Sequence, residues 1–187
     1  MKWFCSILEV FLTTDLKIFH RENPVEGGMT VMKLDQSDFN NHEVMPNLIA
    51  VVRHMVDNNI TQLFSGDELP SISDLPQWMM FLKSKLENPS TKANIKLFIL
   101  RLIINTEDVF GHYGNLFVVP MLNCVVDGII GRTINYFIAD LFVTILSWGE
   151  KAIPSDKNLV FEVFKFLVSC SPHTRADISK YNLSLIK

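Results

Sequence analysis

The stretch Asp74-Leu75-Pro76-Gln77-Trp78-Met79-Met80-Phe81-Leu82-Lys83-Ser84-Lys85-Leu86-Glu87-Asn88-Pro89, with the run that follows it to Asn105, decides the fold class. Asp74 is placed to cap a helix, Pro76 fits a first turn where a missing N–H costs nothing, and Gln77 completes a capping-box spacing. Trp78, Phe81, Leu82 and Leu86, with Met79 beside them, recur at helical spacing until Asn88-Pro89 stops the run. Thr91 opens a second helix with Ile95, Phe98, Ile99, Leu102 and Ile103 on one face. Leu97, Leu100 and Ile104 widen that face until little polar surface remains. A helix apolar nearly all round is buried between neighbours.

The same signals extend in both directions. Upstream, a helix beginning around Ser37 to Asn41 and ending near Asn58 carries Met45, Leu48, Ile49, Val52, Met55 and Val56 on one face, with Pro46 in its first turn or at a kink. Residues 57–73, with Gly66 and Pro70, predict a long exposed loop. Further back, Trp3 to Phe19 is a broken apolar stretch that ends before Asn23-Pro24. Downstream, helices are predicted from Tyr113 to Val126 with Pro120 inside, and from Thr133 to Trp148 with Gly149 as the terminating residue. A third starts at a Ser155 cap and carries Leu159, Val160, Val163, Phe164 and Leu167. A terminal helix after Pro172 would bury Ile178, Leu183 and Ile186. Strand alternation is scarce, so the chain reads as all-α. The starts at Asp74, Tyr113 and Ser155 recur about every 40 residues, the period of HEAT and armadillo repeats. Stacked antiparallel helix pairs, a helical solenoid segment, are therefore expected in preference to a compact bundle.

Composition narrows the functional classes. The 187 residues carry 17 Lys+Arg against 20 Asp+Glu, a net charge of -3, which offers no general attraction for nucleic acid phosphates. The 48% hydrophobic content, with 14 Phe, supplies a sizeable core, while the 20% charged residues leave a lean polar surface that hints at burial against something else. Cys5, Cys124 and Cys170 are odd in number and far apart, which argues against a disulfide framework and for a reducing compartment. The longest apolar stretches, Ile134–Trp148 and Leu116–Ile130, are interrupted by Asn135 and Asp140, and by Pro120, Asn123 and Asp127. Neither supplies the roughly 18–20 apolar residues of a membrane span, so the chain reads as soluble with no membrane partner.

No motif in the sequence assembles a reaction centre. Cys170-Ser171-Pro172-His173 has a CxxH spacing but no second half-site for tetrahedral zinc, so no metal is expected. Gly128-Ile129-Ile130-Gly131 before Arg132 matches a GxxG loop, yet without a sheet it reads as a turn between helices. His20, His42, His54, His112 and His173 are dispersed, and His54 suits a helix terminus better than a base. Asp140, inside an apolar helix, reads as outward-facing or paired with a neighbouring helix. Lys83, Lys85, Lys92, Lys96 and Arg101 form a modest basic run that reads as a solvated ridge. The sequons at Asn59 and Asn182 carry no meaning in a reducing compartment. No catalytic residue, cofactor-binding residue or cofactor is expected.

Several runs, in order, resemble a known family. They are His42-Glu43-Val44-Met45-Pro46-Asn47-Leu48 through His54-Met55, Asp74 to Leu82, Asn94 to Phe98, Ile103 to Phe110, Thr144 to Trp148, and Asn182 to Lys187. Together they are similar to the central helical-repeat region of DNA-dependent protein kinase catalytic subunits, a branch of the phosphatidylinositol-3-kinase-related kinases. The resemblance spans residues 33–187 and leaves residues 1–32 as an unmatched, partly helical segment. It implies a non-catalytic scaffold segment of a nuclear serine/threonine kinase acting in double-strand break repair by non-homologous end joining. Ku heterodimer and DNA ends are implied as partners only through the full-length family, and neighbouring repeats of the parent kinase as direct ones. A stand-alone HEAT-like adaptor is the rival expectation; a small enzyme would need a convergent polar pocket. Kinases of this family favour Ser or Thr followed by Gln, which makes Thr61, before Gln62 in the 57–73 loop, the one candidate phosphosite.

Overall fold

The computed structural model describes residues 44–66, 68–170 and 180, and every regular element among them is helical. The expected helices over Trp3–Phe19 and after Pro172, and the expected start at Ser37 to Asn41, lie outside the described residues. So do Cys5, His20, His42, His173 and the Asn182 sequon.

The first helix, α1, spans Val44–Asp57, holds Pro46 in its first turn, and buries Met45, Leu48, Val52 and Met55 on one stripe. It stops because Asn58 turns its side-chain amide back to donate to the His54 carbonyl, 2.9 Å, and Asn59 enters the left-handed region at φ 55°. A short 3₁₀ turn, Ile72–Asp74, precedes α2, Gln77–Glu87. The expected Asp74 cap is displaced by one element. Its carboxylate closes a box with Ser71 on the 3₁₀ turn, accepting from the Ser71 N–H at 2.8 Å and from its hydroxyl at 2.6 Å, while Pro76 stands at the start of α2. Those bonds hold the Asp74 carboxyl below the usual carboxylate range. Asn88 ends α2 and opens a turn, accepting at its side chain from the Ser90 N–H at 2.8 Å, before α3, Ala93–Asn105.

The stretch from Glu107 to Val126 runs as α4, Glu107–Phe110, a 3₁₀ turn, Gly111–Tyr113, and α5, Gly114–Val126. Taken together it is long and apolar enough to cross a membrane, which a count started at Leu116 misses. Its Phe110, Phe117, Val118, Met121 and Val125 are packed into the core. After the Gly128–Gly131 turn, α6 spans Tyr136–Ser147, and its true cap is Asn135, whose side chain accepts from the Ile138 N–H at 2.9 Å. Gly149 terminates α6 as expected, at φ +61°, a conformation that L side chains rarely adopt. The last helix, α7, spans Lys157–Cys170. Asp156 rather than Ser155 receives its first N–H groups, from Asn158 at 2.9 Å and Leu159 at 3.3 Å. Leu159, Val163 and Leu167 turn inward, and Val160 and Phe164 are exposed.

Packing follows a simple order. Helix α2 lies against α3 and α5, α3 against α1 and α6, and α5 against α6 and α7. Among the described helices, α3 therefore lies between α1 and α6, and α5 between α2 and α7. The core runs through both sets and centres on Trp78, Phe98, Phe110, Tyr113 and Phe117, each almost completely buried. Trp78 meets Phe110 edge-on at 5.6 Å, and Phe110 meets Phe117 edge-on at 4.9 Å. One ring contact of Trp78 is thus with Phe110 of α4. Phe81 is only half-buried, and the Lys85 ammonium lies 5.1 Å from its ring.

Candidate functional site

Three places gather polar side chains against the helical core. The first is the 57–73 loop, which is strapped down. The Phe64 N–H donates to the Tyr113 hydroxyl at 3.0 Å, and that hydroxyl reaches the Gln62 carbonyl at 3.4 Å. His112 Nδ1 donates to the Phe64 carbonyl at 2.8 Å, and Asn115 donates to the Pro70 carbonyl at 2.8 Å. Each bond satisfies a backbone group of a segment that has no ladder of its own. Burial, followed by smaller effects, pushes the Tyr113 phenol above its ordinary value.

Thr61 belongs to this strap, and its exposure needs correction. It is 2% exposed, its N–H donates to the Met55 carbonyl at 2.9 Å, and its hydroxyl accepts from the Trp78 indole at 3.2 Å. An indole N–H buried in a core needs a partner, and Thr61 supplies one. Most of the described loop residues around it are exposed, among them Asn59, Gln62, Ser65, Glu68 and Ser71. A kinase cleft would reach the Thr61 hydroxyl only after the loop opens.

The second place is the contact of α3 with α6. Arg101 is 1% exposed, and its Nη1 donates to Asp140 Oδ2 at 3.0 Å while its guanidinium lies 4.3 Å from the Phe137 ring. The expectation of a paired Asp140 is realised. The expectation of a solvated basic ridge is not, because both Arg101 and Lys96 are buried. Lys96 also lies near Cys124, whose thiol is pushed up to about 11 chiefly by burial, so it stays protonated at neutral pH. Opposite charges interrupting two otherwise apolar helices, Arg101 in α3 and Asp140 in α6, were the sequence signal for this pair.

The third place is an open recess of about 410 Å³ lined by Glu107, Asp108, Gly111, His112, Ser147, Trp148 and Lys151. Trp148 forms one wall, its indole donating to the Glu107 carbonyl at 3.0 Å. A Cβ at Gly111 would stand 2.9 Å from the Trp148 ring, so close approach of the 3₁₀ turn to the indole requires glycine there. Asp108 is drawn outward into an ion pair with Arg53 of α1, 2.9 Å. Burial raises the Asp108 carboxyl, but the Arg53 hydrogen bond and charge, with backbone N–H groups at the start of α4, hold it below the ordinary range.

None of these places joins a nucleophile to a base. His54 accepts no such role: it lies at the end of α1 beside Asn58, 3.1 Å from the Asn58 amide. Cys124 is buried and Cys170 donates weakly to the Arg132 carbonyl at 3.5 Å. Among the described residues no group of His, Cys, Asp and Glu could hold a metal ion. What the geometry provides is a set of bonds that pin one helix, or one loop, against the next.

Comparison with known proteins gives a consistent picture. The family model described as DNA-dependent protein kinase catalytic subunit, CC3, matches residues 12–154. That match reaches into residues 1–32, for which the sequence reading finds no resemblance. The DNA-dependent protein kinase catalytic subunit of Gallus gallus is 40% identical over 83% of the chain, and those of Canis lupus familiaris and Xenopus laevis are each 37% identical over 84%. The chain spans only 4% of the length of these relatives.

Proposed function

Because the chain belongs to the DNA-dependent protein kinase catalytic subunit family, through its CC3 region, we propose that it acts as a non-catalytic solenoid segment, a scaffold within a much longer kinase. The observation that carries this reading is the packing of non-consecutive helices in two series, α1 on α3 on α6 and α2 on α5 on α7. HEAT- and armadillo-like arrays stack in this way, because one helix pair cannot bury both of its apolar faces and each pair covers the next. A closed bundle would instead return the last helix to the first.

The work of such a segment is mechanical. It fixes the curvature of the array and transmits displacement between its neighbours through pinned contacts such as Arg101–Asp140. Its direct partners are the adjoining repeats. In the cell it serves non-homologous end joining of DNA double-strand breaks in the nucleus, with Ku and DNA ends engaged by the whole kinase. Phosphorylation at Thr61 is a minor part of this proposal and depends on opening of the strapped loop.

A replacement experiment tests the reading. The segment of the Gallus gallus kinase that matches residues 12–154 is deleted, or exchanged for this chain's residues, in cells lacking the endogenous protein. Equal protein abundance is verified, and end joining of a cut reporter is measured. Exchange should restore joining and deletion should abolish it. Normal joining after deletion would contradict the scaffold role, and rescue of the deletion by this chain supplied separately would point to a stand-alone adaptor.

A further inference from the structure

Residues Gly111 to Asn115, the 3₁₀ turn and the start of α5, have two neighbours from distant parts of the chain. Their side chains hold the loop: His112, Tyr113 and Asn115 bond to the Phe64, Gln62 and Pro70 backbone at 2.8 to 3.4 Å. Their two glycines back onto Trp148. A Cβ at Gly111 would stand 2.9 Å from the indole Cδ1 and 3.1 Å from Nε1, and one at Gly114 would stand 3.1 Å from Cε3. Trp148 is the residue that ends α6, and its indole donates to the Glu107 carbonyl at the start of α4. The 3₁₀ turn that follows it, Gly149–Ala152, packs on both α5 and α6. His112 serves both neighbours, since it lines the recess with Trp148 while its Nδ1 holds the Phe64 carbonyl. The end of α6 and the 57–73 loop therefore lean on the same five residues.

We propose that this segment is a relay, through which the position of the Trp148 indole sets how firmly the loop is latched. Close-packed groups pass a displacement on instead of absorbing it. A push of the indole on the glycines therefore moves His112 and Tyr113 together, and hydrogen bonds weaken steeply as they lengthen and bend. The loop supplies the two states that such coupling needs. In the latched state Thr61 is 2% exposed and its hydroxyl accepts from the Trp78 indole. In the open state the Phe64 and Thr61 N–H groups lose the Tyr113 hydroxyl and the Met55 carbonyl, their present acceptors. The coupling is reciprocal, so a partner that holds the loop open also shifts the end of α6. The relay stands on local contacts and holds whether or not the helices form a solenoid. In a segment that carries load, it makes strain at the end of α6 readable as release of the loop.

Amide hydrogen exchange in a double-variant cycle tests it. Gly111 has φ -58° and ψ -26°, so its backbone accepts alanine, and the nearest atoms the added methyl meets all belong to Trp148. In Gly111→Ala the Phe64 and Thr61 amides should exchange at least ~10-fold faster than in the wild type, while amides in the middle of α3 stay within ~3-fold. In a Trp148→Leu background, which takes away the ring the methyl presses on, the same Gly111→Ala change should alter Phe64 exchange by less than ~3-fold. Unchanged loop exchange in Gly111→Ala would overturn the relay. Equal acceleration with and without the indole would assign the effect to the turn alone and overturn it too. Should Gly111→Ala unfold the chain, seen as α3 amides accelerating with the loop, Trp148→Phe carries the test. It keeps a ring but removes the bond to Glu107, and it should speed Phe64 exchange at least ~3-fold over α3; no difference between loop and α3 would overturn the relay.

Discussion

At the scale of single residues, two side chains hold this fold in ways that can be measured. Trp78 is fully buried, edge-on to Phe110 and bonded to Thr61, so Trp78→Ala should cost about 3–5 kcal/mol through the cavity it leaves. Urea melts of wild type and variant decide this, and a loss below about 1 kcal/mol would contradict the packing. Arg101 is the second. Its side chain is 2% exposed and its ion-pair partner, Asp140, is 37% exposed. Removing the acid leaves a buried guanidinium without its counter-charge and with only the Phe137 ring beside it, so Asp140→Ala should cost about 3 kcal/mol. Adding Arg101→Met to that variant should recover most of the loss, because the charge that lost its partner is gone. A double variant no more stable than the single one would show that the pair is not the cause. The residue scale is also where the sequence was least legible. The burial of Trp78 could be read from its helical register, but Phe110 as its ring neighbour could not, because contact across thirty residues depends on how α4 folds back. Lys96 and Arg101 misled for a similar reason: a long aliphatic stem lets a charged residue lie inside a helix stripe that composition marks as solvated.

At the scale of elements, helix existence was legible and helix boundaries were not. Apolar spacing gave α1, α2, α3, α5, α6 and α7 because burial of one stripe is what stabilises each of them. The caps shifted by a residue or an element wherever two candidates competed. Asp74 and Ser71 satisfy each other on the 3₁₀ turn, and Asp156 displaces Ser155 at α7. The loop is mostly exposed as expected, and what the sequence did not show is how it is held. Its polar composition suggests exposure, but the backbone is tied to Tyr113, His112 and Asn115, residues about fifty positions away that carry no local signature. Tyr113→Phe removes the acceptor of the Phe64 N–H, and a part-buried donor left unpaired costs about 1 kcal/mol. The Phe64 amide should then exchange faster by at least ~10-fold, while α3 amides change less. The same variant should raise the yield of phosphate at Thr61 when the chain is incubated with an active family kinase, as mapped by mass spectrometry. Unchanged exchange at Phe64 would show that the strap is held by other bonds.

At the scale of the whole molecule, the all-α class and the family were both readable from ordered runs such as Asp74 to Leu82, and of the candidate sites only the pairing of Asp140 was, because the other pinned contacts have no motif. No phosphate-binding loop is present in the sequence, so the purified chain should not bind ATP. Calorimetry with ATP and Mg²⁺ checks this, and saturable micromolar binding would contradict it. The central claim, however, is the order of the helices. Packed helix axes lie about 8–10 Å apart, so two steps of one set separate α2 from α7 by roughly 20 Å, whereas direct packing in a closed bundle would leave about 10 Å. Spin labels at the exposed positions Met80→Cys on α2 and Lys165→Cys on α7, with the native cysteines replaced, read that distance by pulsed electron paramagnetic resonance. A distribution centred at roughly 20 Å or beyond is the expected result, and one centred near 10 Å would contradict the account.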